Sequence, residues 1–337
     1  MRPIQEYYPK LQQIQKVVIT MHQKPDGDAL GSTLGLYHFL RNLGHEVTVI
    51  APTNWAFFLN WMPGIEEVIE YEKNKKAADQ IIAHTDTLFC LDFNVMYRTK
   101  TMEQVLMDAD CVKVLIDHHR QPQEEVFDYG VSNVYKSSTC EMVYDFIIES
   151  GYASLLDKNI ATCLYTGLMT DTGSFRFPST TAQVHLAAAH FKELGIDHTS
   201  IHEYVYDSFL EDRLRFLGNS LLNRMELFYD YNTALMAIPR TDLIKFNTQT
   251  GDTEGFVNFL LSVNGIRLAA LVIDRGEERK WSFRSKGLFD VNEFARAHFN
   301  GGGHKNAAGG SSQNTLEETV QQFKNLLPMY KDELSRF

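Results

Sequence analysis

The chain has 337 residues and a formal net charge of −11, and 44% of its residues are hydrophobic. This length exceeds what one hydrophobic core usually organises, so we expect two domains. The acidic balance argues against binding of long nucleic acid through a basic face, but a small anionic substrate remains compatible if divalent cations are bound. The polar N-terminus, and apolar runs all shorter than the ~18 residues that span a membrane, predict a soluble cytoplasmic protein.

The first half alternates short apolar runs with helical patterns, which is typical of a parallel α/β sheet with helices on both faces. The predicted strands are residues 17–21, 46–51, 88–91 and 112–116. The predicted helices are 29–43, 138–149, 157–169 and 181–194. Gly44 is expected to close the first helix, and Ser138 with Glu141 is expected to open the second as a capping box.

The character of the sequence changes after residue 195. Residues 200–227 form a long charged helical pattern without strands, which predicts a connector between domains. The expected elements that follow are a strand at 233–238, a helix at 255–263, a hairpin of strands 267–274 and 280–285, a helix at 291–299, a Gly-rich loop at 301–310 and a final helix from Thr315, capped with Glu318. These patterns predict domains at 1–195 and 229–337, the second a smaller α/β domain, joined by a helical connector at 196–228.

Acidic and imidazole side chains follow three of the predicted strands and one helix. They are His22, Asp26 and Asp28 after the first strand, Asp92 after the third, Asp117, His118 and His119 after the fourth, and Asp171 at the end of a helix. Ligands of open α/β sheets bind outside the carboxyl ends of the strands, so we expect these groups to meet at one edge. Oxygen and imidazole donors without thiolates favour Mn²⁺ or Mg²⁺ over a structural zinc ion.

The segment Asp26-Gly27-Asp28 is expected to turn sharply at the glycine, so that its two carboxylates face two different cations. Two cations about 3.5–4 Å apart would hold a phosphate and activate a water. For any one of these aspartates, a turn or a helix cap is the commoner explanation. Four such segments in one chain favour the metal site.

Two segments of the second domain carry groups suited to phosphate. The glycines at 301–303 offer backbone N–H groups beside His304, and Arg284, followed by Ser285, offers a planar fork of donors. A loop whose glycines only satisfy tight turns, and a solvated surface arginine, are the competing interpretations.

The segments together resemble the DHH phosphoesterase family, named for the run seen here as Asp117-His118-His119. The resemblance covers nearly the whole chain. The family's first motif is similar to the stretch from His22 to Ser32, its second to Asp92, its fourth to TGLMTDTGSF around Asp171, and the signature of its associated C-terminal domain to GGGHKNAAG from Gly301. The resemblance implies an N-terminal parallel-sheet DHH domain and a C-terminal DHH-associated substrate-binding domain.

The resemblance also implies roles for these residues. The first metal would be held by His22, Asp26 and Asp92, and the second by Asp28, Asp92, His118 and Asp171. A hydroxide bridging the metals would attack the phosphate, His119 would lie beside that phosphate, and Asp117 would orient the histidines. The implied cofactor is two Mn²⁺ ions per chain, with Mg²⁺ or Co²⁺ as alternatives.

Similarity to the nanoRNase branch of the family implies 3′–5′ exoribonuclease activity on short oligoribonucleotides and phosphatase activity on 3′-phosphoadenosine 5′-phosphate (pAp). The nucleotide would be held in a cleft between the domains by Arg284, Ser285, Gly302, Gly303 and His304. Alternatives are a phosphodiesterase for pApA or cyclic di-AMP, an inorganic pyrophosphatase, and a nucleotide sensor without catalysis. The native metal, RNA against DNA preference and homodimer formation stay open.

Overall fold

The apolar runs of the first half of the chain form a seven-stranded sheet in which every pairing is parallel. The computed structural model describes residues 1–336, which divide into two units, Met1–Ser208 and a second that begins at Phe209. The strands of the first unit are β1 (Arg2–Pro3), β2 (Lys16–Thr20), β3 (Glu46–Ala51), β4 (Ile69–Glu70), β5 (Thr87–Leu91), β6 (Val112–Asp117) and β7 (Tyr129–Ser132). Their order is β1-β7-β6-β5-β2-β3-β4.

Helices cover both faces of this sheet. They are α1 (Gly27–Asn42), α2 (Tyr71–Ala83), α3 (Glu103–Asp108), α4 (Thr139–Glu149), α5 (Lys158–Asp171), α6 (Ala182–Glu193) and α7 (His198–Tyr206). Strand side chains alternate between two cores: Val17 and Ile19 of β2 join the core under α1, α4 and α5, whereas Val18 joins the core under α2 and α3. Burial on both faces explains why these strands are almost continuously apolar, and it confirms the predicted α/β sheet.

Helix α1 packs closely on α5 through small residues. A Cβ atom on Gly31 would lie 2.6 Å from the Cys163 carbonyl oxygen, so only glycine fits there. Gly27 is the first residue of α1 and lies outside the left-handed region, so the predicted sharp turn at this glycine is wrong. A Cβ atom on Gly27 would lie 2.5 Å from Thr170 Oγ1, and this contact between the two helices is what requires glycine.

The continuous helical stretch predicted over 200–227 is also wrong. Helix α7 ends at Tyr206, α8 (Glu211–Asn223) begins after four intervening residues, and β8 (Met225–Phe228) begins two residues after α8 ends. The helices separate because they pack on different cores: α7 buries Ile201 and Val205 in the first unit, whereas α8 buries Phe216 in the second. The charged residues along this segment did not indicate that its two halves pack on different hydrophobic cores.

The second unit is built on a six-stranded mixed sheet. Its strands are β8, β9 (Thr233–Ile238), β10 (Leu268–Asp274), β11 (Arg279–Ser285), β12 (Gly302–His304) and β13 (Ala307–Ser312), in the order β12-β13-β11-β10-β9-β8. Its helices are α8, α9 (Arg240–Lys245), α10 (Phe256–Leu261), α11 (Val291–His298), α12 (Leu316–Leu326) and α13 (Lys331–Ser335). The β10–β11 hairpin and the Thr315–Glu318 capping box agree with the predictions.

The Gly-rich segment predicted as a loop is instead the antiparallel hairpin β12–β13. Gly301 lies just before it, and a Cβ atom there would lie 2.0 Å from the Gly309 carbonyl oxygen. The close approach of the two backbones therefore explains why glycines occupy this segment. Because glycines give no alternation of apolar and polar residues, the sequence pattern did not predict strands here. Across residues 1–336, no helix has both the length and the apolar character to cross a membrane.

Candidate metal centre

The strand order places the predicted site residues at the reversal point of the first sheet. From β2 the chain adds β3 and β4 on one side, and β5, β6 and β7 extend the sheet on the other. The carboxyl ends of β2 and β5 are therefore neighbours at a switch point, where open α/β sheets bind their ligands. His22 follows β2, Asp92 follows β5, and the Asp117–His119 segment runs off the end of β6.

The first cluster consists of His22, Asp26 and Asp92. The Nε2 atom of His22 lies 3.3 Å from Asp92 Oδ2 and 3.9 Å from Asp26 Oδ1. Its Nδ1 lies 2.8 Å from the Gln23 carbonyl oxygen, which can only accept a hydrogen bond. Nδ1 must therefore carry a proton, and the lone pair of a neutral His22 points from Nε2 toward the carboxylates, as a metal ligand requires.

The second cluster surrounds the Nε2 atom of His118. Asp92 Oδ1 and Asp171 Oδ2 each lie 3.5 Å from this nitrogen, and Asp28 Oδ2 lies 3.7 Å away. Asp92 thus presents one carboxylate oxygen to each histidine. Its backbone has φ +61°, a left-handed conformation that aspartate adopts more readily than most residues and that is common at functional sites.

Asp117 and His119 form a separate pair at the end of β6. The Asp117 carboxylate, which is fully buried, accepts hydrogen bonds from His119 Nδ1 at 2.7 Å and from the His119 backbone N–H at 3.0 Å. This carboxylate fixes both the backbone and the ring of His119. With Nδ1 engaged, Nε2 is the nitrogen that the His119 ring can present to a ligand.

Helix α4 supplies support that sequence reasoning missed. The backbone N–H groups of Thr139 and Cys140 donate to the two oxygens of Asp28 at 2.7 and 2.9 Å, and Thr139 Oγ1 donates to Asp92 Oδ1 at 3.0 Å. The free N–H groups and dipole of a helix N-terminus favour a buried carboxylate. The sequence showed only that Ser138 opens a helix; that α4 follows β7, and so presents its first N–H groups to this edge of the sheet, became clear from the structure.

The predicted capping box at the start of α4 is only half formed. Ser138 Oγ accepts from the Glu141 backbone N–H as predicted. The Glu141 carboxylate, however, accepts from the backbone N–H and hydroxyl of Ser137 and from Lys136 Nζ rather than from the Ser138 backbone. Glu141 thereby holds Lys136 and Ser137 in place, and the Lys136 carbonyl oxygen lies 3.3 Å from His118 Nδ1.

The electrostatics of the centre favour a bound cation. Burial raises the pKa of Asp28 well above its usual range, and the charges of Asp92 and Asp171 add to that rise. Burial alone would lower the pKa of His118, but its hydrogen bond to Asp92 and the charge of Asp171 hold that pKa well above the usual range. A proton on His118 thus offsets crowded carboxylates, as a divalent cation bound to these oxygen and imidazole donors would. The residues present fit such an ion.

Comparison with known proteins identifies the family and agrees with the fold. Residues 16–168 match the N-terminal domain of the DHH family, and residues 232–335 match the DHHA1 domain. The chain belongs to the DHH family. Its structure is similar to that of an exopolyphosphatase-related protein from Bacteroides fragilis, with a TM-score of 0.92, 38% identity and coverage of 98% of this chain and 97% of the other.

Two curated relatives in the DHH family share the name of bifunctional oligoribonuclease and PAP phosphatase. The protein from Thermus thermophilus is 29% identical over 95% of this chain and 90% of its own length. The protein from Streptococcus mutans, whose name is qualified as probable, is 26% identical over 94% of this chain and 97% of its own length.

The sheet of the DHHA1 domain places two of the predicted substrate residues on either side of Ala307. In the register of the sheet, Arg284 of β11 and His304 of β12 both pair with Ala307 of the intervening strand. Directly paired residues project to the same face, so both side chains lie on one face of the sheet. The glycines therefore shape a short strand that carries His304.

Donors of two other predicted substrate residues are engaged within the DHHA1 domain. Ser285 Oγ donates to the Phe289 carbonyl oxygen at 2.7 Å, and the Gly303 N–H donates to Asn292 Oδ1 at 2.9 Å. These bonds hold the ends of β11 and β12. Sequence reasoning overlooked Asn292, whose buried side chain ties α11 to the Gly-rich hairpin.

Proposed function

We propose that this DHH protein is a metal-dependent phosphoesterase that hydrolyses short oligoribonucleotides and pAp. The observation that carries the proposal is the paired arrangement of His22 and His118 around the two oxygens of Asp92. It is supported by relatives that bear the oligoribonuclease and PAP phosphatase name and match this chain almost end to end.

The metal ligands follow from the two clusters. His22, Asp26 and Asp92 would hold one divalent cation, and Asp28, Asp92, His118 and Asp171 the other, with Mn²⁺ as our proposed ion and Mg²⁺ or Co²⁺ as alternatives. Bound cations would supply phosphate coordination and a water of lowered pKa. The N-terminal N–H groups of α4 hold Asp28 in place, a bound cation would keep its carboxylate charged, and Asp117 holds the ring of His119 toward the phosphate.

The DHHA1 domain would select the substrate. Arg284 offers a fork of N–H donors for a terminal phosphate, and His304 on the same face offers an imidazole for a phosphate or a base. Gly302 allows close approach of a ligand, while Ser285 and Gly303 shape the two strand ends. Selection by a few groups on one face suits a small nucleotide better than a long strand.

The first experiment is to incubate the purified protein with Mn²⁺ and pAp, pApA, cyclic di-AMP, a long RNA and pyrophosphate separately, and to measure released phosphate and nucleotide. We expect rapid cleavage of pAp and pApA, with the long RNA and pyrophosphate nearly untouched. Hydrolysis of pyrophosphate alone, or of none of the compounds, would overturn the proposal. Preferred hydrolysis of cyclic di-AMP would replace the pAp assignment with that of a cyclic dinucleotide phosphodiesterase.

A second candidate, an exopolyphosphatase, is favoured by the 38% identity to the exopolyphosphatase-related protein of Bacteroides fragilis. The same metal centre could act on a chain of phosphates. Inorganic polyphosphate therefore belongs in the same assay. A higher kcat/KM for polyphosphate than for pAp would make the exopolyphosphatase the better assignment.

A further inference from the structure

The loop after β5 holds an arginine beside the metal centre that the proposed mechanism has not used. Arg98 lies six residues after Asp92, in a short 3₁₀ segment (Met96–Met102). Met96, Thr99 and Met102 are fully buried and anchor this segment. The Arg98 carbonyl oxygen accepts a 2.9 Å hydrogen bond from the backbone N–H of Gln23, the residue that follows His22. The backbone of Arg98 is therefore fixed to the strand end that carries the first cluster.

The side chain of Arg98 differs from the other partly buried arginines of the chain. Arg213 donates to two backbone carbonyl oxygens, and Arg224 forms an ion pair with Asp242. Within residues 1–336, the half-buried Arg98 guanidinium has neither an ion pair nor a hydrogen bond. A half-buried cation without a partner is costly, which is typical of a group that meets its partner only when a ligand binds.

The positive charge of Arg98 acts on two histidines of the centre. Burial lowers the pKa of His119, and the positive charge of Arg98 lowers it further. The same charge opposes the rise in the pKa of His22 that its hydrogen bond to Asp92 causes. The 2.9 Å backbone bond to Gln23 places Arg98 next to the segment of His22, and the charge of Arg98 acts on both His22, in the first cluster, and His119, the residue proposed to face the phosphate.

We propose that Arg98 binds the phosphoryl group that undergoes hydrolysis, donating from its guanidinium to a non-bridging oxygen. This inference rests on the proposed function and adds a phosphate-binding residue from the DHH domain to those of the DHHA1 domain. A planar fork of donors suits a phosphate, and the rest of the centre offers mainly anionic side chains. Arg98 would act on every substrate, because the reacting phosphoryl group is common to all of them.

The first test measures binding and does not require turnover. Inorganic phosphate is titrated calorimetrically into the Mg²⁺-loaded full chain, as the unaltered protein, Arg98→Gln and Lys100→Gln. Lys100 is a matched control, since it is an exposed cation of the same segment that lies over the Tyr97 ring. We expect Arg98→Gln to weaken phosphate binding roughly 10- to 100-fold, the worth of one charge-assisted hydrogen bond, with Mg²⁺ affinity unchanged. Lys100→Gln should bind phosphate as the unaltered protein does.

The second test compares kcat/KM for pAp, pApA and the small diester bis(p-nitrophenyl) phosphate. Arg98→Gln should reduce all three by a similar factor, and Arg98→Lys should recover part of the loss. The inference would be overturned by equal phosphate binding in Arg98→Gln and the unaltered protein, or by no phosphate binding in either. A loss of phosphate binding that weaker Mg²⁺ binding explains would also overturn it. Full pAp hydrolysis by Arg98→Gln would reject the role of Arg98 and leave the proposed function standing. If Arg98→Gln loses phosphate affinity but neither the unaltered protein nor any variant hydrolyses pAp, the role of Arg98 in binding phosphate would stand and the proposed function would be rejected.

Discussion

At the scale of single residues, Asp92 has the most constrained position in the candidate centre. Its two carboxylate oxygens face different histidines, its backbone is left-handed, and its side chain is almost completely buried. Burial raises its pKa, but hydrogen bonds from His118 and His22 outweigh that effect and leave the pKa well below its usual range. Asp92 therefore stays ionised and can serve both clusters.

Replacing Asp92 with alanine should abolish turnover, because both proposed cations would lose a ligand. The loss in kcat/KM for pAp should exceed the ~10- to 100-fold typical of changes to groups that only orient a ligand. Asp110→Ala, at an exposed aspartate, serves as the control. An Asp92→Ala protein with retained activity would disprove the assignment of Asp92 to both metals.

Arg284→Ala should act on substrate choice rather than on the chemical step. If Arg284 holds a terminal phosphate, the KM for pAp should rise, while the small diester bis(p-nitrophenyl) phosphate should be cleaved at an unaltered rate. Steady-state kinetics with both compounds distinguish this outcome from a general loss of activity. An unchanged KM for pAp would remove Arg284 from the proposed site.

At the scale of elements, the centre depends on how closely α1 and α4 approach α5. A Cβ atom on Gly167 of α5 would lie 2.2 Å from Cys140 Sγ and 2.9 Å from Asp28 Oδ1. Gly31 makes the matching close contact from the α1 side. These glycines therefore let the N-terminus of α4 reach the carboxylate of Asp28, so helix packing sets the position of a proposed metal ligand.

Gly31→Ala and Gly218→Ala should change stability in opposite directions. The added methyl of Gly31→Ala would meet the Cys163 carbonyl, which should lower the free energy of unfolding by ~1–3 kcal/mol. Gly218 lies in α8 with open space around its Cβ position, so alanine there should raise that free energy by ~0.5–1 kcal/mol through helix propensity. Urea unfolding measures both. Equal effects of the two substitutions would contradict the close packing of α1 on α5.

At the scale of the whole molecule, the net charge of −11 is not spread evenly, because four aspartates meet in the candidate centre. Without a cation, the protons and hydrogen bonds of His22 and His118 offset only part of that repulsion. The folded DHH domain would therefore bind divalent cations that the unfolded chain does not hold together. Metal binding and folding are thus expected to be coupled.

Mn²⁺ should raise the thermal unfolding temperature of the DHH domain. At a free ion concentration of 100 times the Kd, the folded state gains about 2.7 kcal/mol per site. Differential scanning calorimetry with Mn²⁺ and with a chelator measures the shift, and Asp92→Ala should lose most of it. Identical transitions with Mn²⁺ and with the chelator would show that the centre binds no ion under these conditions.

The sequence by itself determined four of the seven strands of the first unit and the residues brought to the edge of their sheet. Strand burial on both faces leaves an apolar run, and a chemical group directly after such a run must lie at a strand end. Both are local properties, so β2, β3, β5 and β6 were predicted to within a residue or so at their ends. The segments bearing His22, Asp92 and Asp117–His119 were assigned to one edge for the same reason.

Only the tertiary structure decided which atoms meet at that edge and what supports them. Thr139 and Asp28 are 111 residues apart in the chain, and no local pattern shows that the N–H of one meets the carboxylate of the other. The contact of Gly27 with Thr170, the pairing of β12 with β13 and the separation of α7 from α8 depend likewise on distant partners. Periodicity reports which face of an element is buried, whereas packing alone selects the element that buries it.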